Sequence, residues 1–122
     1  MSPLAMLHEE LVSLIAALAA ETTKASPDMA AVSSIRMKLS QASRSRMAVL
    51  EAMLASSKGK SGTPAPALAN AVANARAARF ASGAHIGKWT ITAIEADWRG
   101  YCRDSAHVRA AMLQQIKAEA TT

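Results

Sequence analysis

Apolar residues recur at alternating intervals of three and four along most of the chain, and this spacing restricts the fold more than any other feature. It is typical of one face of an α-helix, which makes one turn in about 3.6 residues. In the second stripe, the regular position between Ala42 and Val49 falls on Arg46, a permanent cation. The first stripe contains Leu4, His8, Leu11, Ile15 and Leu18, and the second contains Val32, Ile35, Leu39, Ala42, Arg46, Val49, Leu50, Met53 and Leu54. The pattern therefore predicts packed helices with one charge among their buried residues.

The composition favours an all-α fold. Of the 122 residues, 51% are hydrophobic and 19% are charged, which is typical of a globular protein. Ala, Leu, Met, Lys, Arg and Glu favour helices, whereas the chain contains only four aromatic residues. The length suits one core, so we predict a single domain spanning residues 1–122.

Capping signals divide the chain into four predicted helices. The residues 56–66 contain Gly and Pro without an apolar period and predict a mobile loop. The predicted helix starts are Ser2–Pro3, Ser26–Pro27–Asp28, the residue after Pro66, and Thr92 with Glu95. The first helix should end near residues 22–25 and the second near Ser56. The apolar stripe of the last helix contains Ile94, Trp98, Tyr101, Ser105, Val108, Met112 and Ile116. Four such helices predict an up-down-up-down four-helix bundle.

The formal net charge of +5 raises the question of nucleic-acid binding. Six of the fourteen Lys and Arg residues lie between positions 36 and 60, where Glu51 is the only acid. The aromatic residues lie elsewhere and cannot form a stacking platform among these cations. We therefore predict a solvated basic helix face and no specific nucleic-acid partner.

Two features concern the cellular location. Cys102 is the only cysteine, which excludes an intrachain disulfide and a cysteine-cluster metal site and favours a reducing compartment. The apolar segment Leu11–Ala20 follows His8, Glu9 and Glu10 rather than the basic residues of a signal peptide, and the segment is too short to span a bilayer. We predict a soluble cytoplasmic protein without a membrane partner.

Three histidines are the main candidates for a binding or metal site. His8 lies in the first apolar stripe, where an imidazole needs a partner. His85 precedes Trp89 by one turn, so the two rings can stack, and His107 lies at the edge of the last stripe. None has the Glu-x-x-His spacing of di-iron bundles, so the metal signal is weak.

The chain contains no recognisable catalytic motif. It has no glycine-rich phosphate loop after a strand and no nucleophile elbow, and the neighbours of Cys102 do not mark an activated thiol. Asp97 beside Trp98 can accept the indole N–H or pair with a cation from a neighbouring helix, which is a structural role. We predict no catalytic residues and a non-enzymatic protein.

Several segments carry a family resemblance that spans nearly the whole chain. They are "LHEEL" in the first helix, "SPDMAAVSSIR" at the start of the second, and "KWTITAIEADWRGY" and "LQQIKAEA" towards the end. These segments resemble the hemerythrin-like, or HHE cation-binding, family. The resemblance implies a four-helix bundle that commonly holds two irons between histidines and carboxylates, and a role in binding or sensing oxygen or in handling iron.

The ligand set implied by this resemblance is incomplete. His8 matches the ligand on the family's first helix. The family's second helix has His-x-x-x-Glu followed by Leu-Tyr-Pro, where this chain has Arg46, Leu50 and then Leu54-Ala55-Ser56. The last helix stops at Glu119-Ala120-Thr121-Thr122, before any such ending. We therefore predict a degenerate site that holds no metal and no cofactor.

Arg46 stands at the position of a missing ligand. A guanidinium remains protonated and cannot donate a lone pair to iron. We therefore expect its charge to replace part of the missing metal charge by pairing with a core carboxylate from Glu9, Glu10 or Asp97. The alternative places Arg46 at the margin of its stripe, with the head group reaching solvent.

The sequence thus predicts a hemerythrin-like bundle that has lost its di-iron site and acts as a binding or regulatory module for a protein or a small molecule. Its candidate polar site comprises His8, Arg46, His85, Asp97 and Trp98. One alternative is an oxygen-sensing or iron-handling protein with a reduced site on His8, His85 and His107; another is a nucleic-acid accessory protein that uses the basic second helix.

The second helix also carries more apolar surface than one stripe requires. Exposed stripes of this kind favour association with a second copy. The additional apolar residues are Met29, Met37, Met47 and Met53, together with Leu7 and Leu14 beside the first stripe. We therefore predict a homodimer.

Overall fold

The computed structural model describes residues 2–61 and 66–120, and every regular element in this part of the chain is a helix. The helices are α1 (Pro3–Glu21), α2 (Met29–Ser61), α3 (Pro66–Lys88), α4 (Ile91–Ala96) and α5 (Trp98–Ala120). The all-α prediction is confirmed for the described residues. The predicted fourth helix is divided into α4 and α5, and the up-down-up-down arrangement stays a prediction.

The four long helices contact one another in a closed order, in which α1 packs on α2, α2 on α3, α3 on α5, and α5 on α1. The short helix α4 packs on α5 and α2. The buried apolar side chains form two groups. The large apolar cluster contains Leu11, Ile15, Leu18, Val32, Leu39, Ala42, Trp89, Ile94, Trp98, Tyr101 and Ile116, and the small apolar cluster contains Leu4, Met47, Leu50, Leu68, Val72 and Ala75.

Helix starts follow the predicted chemistry, although two of them lie at different residues. The Ser2 hydroxyl accepts a hydrogen bond from the backbone N–H of Ala5 at 3.1 Å, as predicted. The second helix is capped by Asp28, whose Oδ1 accepts from the Ala31 N–H at 3.2 Å, and Ser26 lies outside the helix. Thr90, not Thr92, caps α4.

Helix α2 continues beyond Ser56 to Ser61, so most of the predicted loop is helical. The Ser57 hydroxyl donates to the Leu54 carbonyl at 2.9 Å, which keeps the side chain compatible with a helix. A single glycine in a helix costs only about 1 kcal/mol, so the glycine at position 59 does not end it. The rest of the predicted loop, residues 62–65, lies outside the described residues.

Most residues of the predicted stripes are buried, although Ile35, Val49 and Leu54 of the second stripe are only half-buried. Met47, predicted to add exposed apolar surface, is buried in the small apolar cluster because α3 covers this side of α2. Met53, predicted both as part of the stripe and as additional apolar surface, is exposed. Val108 and Met112 in the last stripe are only half-buried.

Helix α1 is long and apolar enough to cross a membrane by length and composition alone, a test that core helices of soluble proteins also pass. The prediction that its apolar segment is too short rested on ten residues, whereas the helix contains 19. One face of α1, from Leu4 to Leu18, is buried against the other helices. The cytoplasmic location stays a prediction.

Asp97 separates α4 from α5 and caps the second of them. Its φ of −144° and ψ of 72° are not helical, and its Oδ1 accepts a hydrogen bond from the Gly100 N–H at 3.0 Å. Asp97 thus has a structural role, as predicted, but its partner is a backbone N–H rather than an indole or a cation. The Trp98 indole N–H donates instead to the Lys24 carbonyl at 2.9 Å.

A Cβ at position 100 would overlap the Asp97 carboxylate where it now lies, so that the Asp97 side chain would have to move in the cap. We expect Gly100→Ala to lower the free energy of unfolding by about 1–2 kcal/mol, as loss of an N-cap does. Urea denaturation measures this change. The matched control is Gly83→Ala, where a Cβ meets no atom within 4 Å and where alanine should stabilise helix α3. Equal effects of the two substitutions would contradict the role given to Asp97.

Candidate functional site

Four polar side chains from three helices meet inside the protein and form what we call the buried polar cluster: His8, Arg46, Gln115 and Glu119. The His8 Nε2 lies 2.9 Å from the Glu119 Oε1. The Gln115 side-chain amide donates to the other oxygen, Oε2, at 2.7 Å. The Arg46 Nε lies 3.7 Å from Oε1, close enough for an ion pair but too far for a hydrogen bond. One carboxylate thus links α1, α2 and α5.

The cluster lies between the two apolar clusters. Along α1, His8 stands between Leu4 of the small cluster and Leu11 of the large one. Along α2, Arg46 stands between Ala42 of the large cluster and Leu50 of the small one. A layer of polar side chains therefore separates the two apolar clusters. Such a buried polar network makes the structure rigid only when its donors and acceptors are paired with one another.

Arg46 is 4% exposed, so the interpretation that placed its head group in solvent is wrong. The prediction of a buried, paired cation is confirmed, but the partner differs from all three candidates. Glu9 and Glu10 are exposed, and Asp97 caps α5. The partner is Glu119, which is 1% exposed. The last apolar stripe, extended three residues beyond Ile116, would have indicated this position.

The ion pair leaves part of the guanidinium without a partner. Among the described residues, the Arg46 Nε and Nη1 atoms are buried and make no hydrogen bond. A buried charge is stable only when it is paired, and an unsatisfied N–H adds a further cost. The Coulomb attraction of Glu119 is therefore the main interaction that holds Arg46 inside.

The three histidines do not form a common site. His8 contacts Glu119, His85 stacks on Tyr101 with ring centroids 5.8 Å apart, and His107 is exposed. No group of three His, Cys, Asp or Glu side chains that could hold a metal ion occurs within residues 2–61 and 66–120. The residues of the predicted polar site do not come together either, because His85 and Trp98 belong to a separate aromatic group.

Tyr101 is the centre of this aromatic group. Trp98 stacks on its ring at 5.7 Å, and Trp89 meets it edge-on at 5.7 Å. The predicted stacking of His85 on Trp89 is therefore replaced by stacking of His85 on Tyr101. The Arg36 guanidinium lies 5.8 Å from the centre of the Tyr101 ring and donates a hydrogen bond to the Trp89 carbonyl at 2.7 Å. Burial raises the pKa of the Tyr101 hydroxyl.

A cavity of about 280 Å³ opens beside the aromatic group. Four arginines line it, from α2, α3 and α5, and no Asp or Glu is among its lining residues. The lining consists of Leu18, Arg36, Leu39, Ser40, Ser43, Arg44, Arg79, Ser82, Gly83, His85, Ile86, Tyr101, Ser105, Val108, Arg109 and Met112. We call this space the arginine-lined cavity.

The cavity keeps its positive charge because its arginines bind neutral groups. Arg36 donates to backbone carbonyls, and Arg109 donates to the Ser105 carbonyl and hydroxyl at 3.2 Å and to the Thr22 hydroxyl at 3.2 Å. Within the part of the chain that the structure describes, none of the four arginines of the cavity forms an ion pair. The sequence interpretation treated Arg36 and Arg44 as part of a solvated helix face and did not single out Arg79 or Arg109.

No protein-family model, curated protein or solved structure matches the chain. The hemerythrin-like resemblance therefore stays a prediction. Two features of the structure bear on function, the buried polar cluster and the arginine-lined cavity.

Removing either charge of the buried pair should destabilise the protein. We expect Glu119→Gln to lower the free energy of unfolding by about 3 kcal/mol or more, because Arg46 is then buried without a counter-charge. Arg46→Leu should also be destabilising, whereas Arg46→Leu combined with Glu119→Gln should recover part of the loss. Urea denaturation of the single and double variants gives the coupling energy.

The matched control for this pair is Arg44→Leu, which removes an exposed arginine from the same helix. Its effect on the free energy of unfolding should stay within about 0.5 kcal/mol. Additive effects of Arg46→Leu and Glu119→Gln would contradict the coupling between the two side chains.

His85 should make the protein less stable in weak acid. Burial, followed by the charge of Arg36, lowers the pKa of His85 below its ordinary range. The unfolded chain then binds more protons than the folded one, so this contribution to stability falls as the pH drops below about 6.5. The loss between pH 7 and pH 5 should be smaller in His85→Gln, measured by urea denaturation at each pH. An unchanged pH dependence would contradict the assignment.

Proposed function

We propose that the chain is a non-enzymatic, metal-independent helical module of the hemerythrin-like kind, in an up-down-up-down arrangement, that acts by binding a small molecule. The observation that carries this proposal is the buried ion pair of Arg46 and Glu119. A carboxylate and an imidazole from different helices are the donors that a metal ion would use. Here both are already engaged beside a fixed positive charge.

The charge of Arg46 opposes the binding of a cation at this place. A metal ion held by His8 and Glu119 would lie within a few ångströms of the guanidinium, which cannot lose its proton. Repulsion between like charges is strong in an interior shielded from water. The guanidinium supplies the positive charge that Glu119 needs, so the helices can pack without metal.

A binding role needs a place for the ligand, and the arginine-lined cavity provides one. It is concave, it is lined by α1, α2, α3 and α5, and it combines apolar side chains with a few polar ones. These are the features of small-molecule sites. The runner-up function is iron handling or oxygen sensing, and the observation in its favour is the contact between His8 and Glu119, two of the donor types that iron uses.

Three further expectations belong to this proposal. A homodimer remains an expectation, supported by exposed apolar side chains such as Phe80 at 83% and Met37 at 60%. We also propose a cytoplasmic location, because a single cysteine suits a reducing compartment, and no specific nucleic-acid partner, because no aromatic residue lies among the cations of residues 36–60.

Metal analysis tests the proposal. Protein purified from cells grown with excess iron should contain far less than one iron per chain, because Arg46 occupies the place of a donor. The comparison variant is Arg46→His, which removes the charge and adds an imidazole beside His8 and Glu119. Titration with Co²⁺, followed by its visible absorption, should show tighter binding to the variant than to the wild type. Stoichiometric iron in the wild type, or equal cobalt affinity in both proteins, would overturn the proposal.

A further inference from the structure

We propose that the arginine-lined cavity binds an amphipathic organic anion, a small molecule with a compact apolar body and one carboxylate or phosphate group. This inference rests on the proposed function, since it names the class of ligand that the binding module takes. It is carried by the chemistry of the cavity walls, and each part of the ligand corresponds to one part of the lining.

The apolar body is indicated by the inner wall. Leu18, Leu39, Tyr101, Val108 and Met112 line the cavity, and they come from α1, α2 and α5. Val108 and Met112 belong to the apolar stripe of α5 but are only half-buried, because the cavity leaves part of each side chain uncovered. Covering them with an apolar group would remove this apolar surface from water, which favours binding.

The anionic group is indicated by the arginines. Guanidinium groups match the geometry of carboxylates and phosphates and are the preferred protein groups for both. Arg36 and Arg109 are held in place by hydrogen bonds to the Trp89 and Ser105 carbonyls, so little freedom is lost when an anion binds. A cationic ligand would meet four arginines and no carboxylate among the lining residues.

The size of the cavity restricts the ligand further. The volume of about 280 Å³ is close to the lower limit of small-molecule sites. A chain of about eight carbons with one head group is of this size, whereas a nucleotide or a two-chain lipid is much larger. Octanoate is therefore a suitable probe.

His85 provides an internal reporter for the charge of the ligand. Its ring lines the cavity and is faced by Arg36 from α2, Lys88 from α3, and Tyr101 and Asp104 from α5. The Asp104 carboxylate is already bound by the Lys88 amine at 2.8 Å and by the Trp89 indole N–H at 2.9 Å. An anion in the cavity would stabilise the imidazolium and raise the pKa of His85, whereas a neutral ligand would not.

The experiment compares probes that differ only in the head group. Calorimetric and NMR titrations use octanoate, octyl phosphate, octanamide, octylamine and inorganic phosphate. We expect octanoate or octyl phosphate to bind at least about tenfold more tightly than octanamide, because charge-assisted hydrogen bonds are stronger than neutral ones. Octylamine and inorganic phosphate should bind more weakly still. The preference between octanoate and octyl phosphate then identifies the head group.

Variants locate the site. Arg44→Gln and Arg79→Gln remove exposed arginines that line the cavity, so the fold should be kept while affinity for the anionic probes falls severalfold in each. The matched control is Arg103→Gln, an exposed arginine of α5 outside the cavity, which should leave affinity unchanged.

The pKa of His85, followed by NMR, should rise in the presence of octanoate and stay constant with octanamide.

Failure of this inference is distinguishable from failure of the proposed function. If octanamide binds as tightly as octanoate, or if the Arg44 and Arg79 variants bind octanoate as the wild type does, the anion inference is overturned and a metal-independent binding module remains. If no probe binds at millimolar concentration, the inference is likewise overturned. Stoichiometric iron would overturn the proposed function, whichever probe binds in the cavity.

Discussion

The long helices must pack so that Arg46 and Glu119 lie close to each other in the interior. A guanidinium and a carboxylate, each almost completely excluded from solvent, are stable only when they face each other, and here they lie on α2 and α5. His8 adds α1 to the same carboxylate. Apolar side chains can exchange one apolar neighbour for another, whereas a buried charge moved away from its counter-charge is left unpaired. The polar layer therefore disfavours those packings of the apolar stripes that would separate the two charges.

Structural features that depend on residues close together in the sequence could be predicted, whereas features that depend on distant residues could not. The all-helical class, the first helix start at Ser2 and the burial of Arg46 follow from spacing and capping within a few residues. The identity of the partner carboxylate was wrong, because pairing between α2 and α5 depends on how the helices are arranged and on where α5 ends. The exact position of the break, at Asp97, depends on the close approach of its carboxylate to Gly100, which helix propensity does not reveal.

The arginine-lined cavity shows a second limit of sequence reasoning. Arg36, Arg44, Arg79 and Arg109 lie on three helices and share no motif, so the chain gives no sign that they meet. Viewed along the sequence, the basic residues of α2 suggested a solvated face. In the fold, Arg36 is half-buried over Tyr101 and Arg46 lies in the core, so neighbouring cations on one helix have different environments. Net charge alone could not distinguish between them.

The sequence separation within the buried polar cluster has a consequence for how the protein folds. The contact between His8 and Glu119 joins residues 111 positions apart, so it forms only after α5 has been synthesised. Until then α1 and α2 can associate through their apolar faces, but Arg46 has no counter-charge and is best left hydrated. The α1–α2 pair is synthesised before α5 and should therefore be loosely packed around position 46. Packing of α5 then completes the interior in a late step, which carries the entropy cost of closing a long loop.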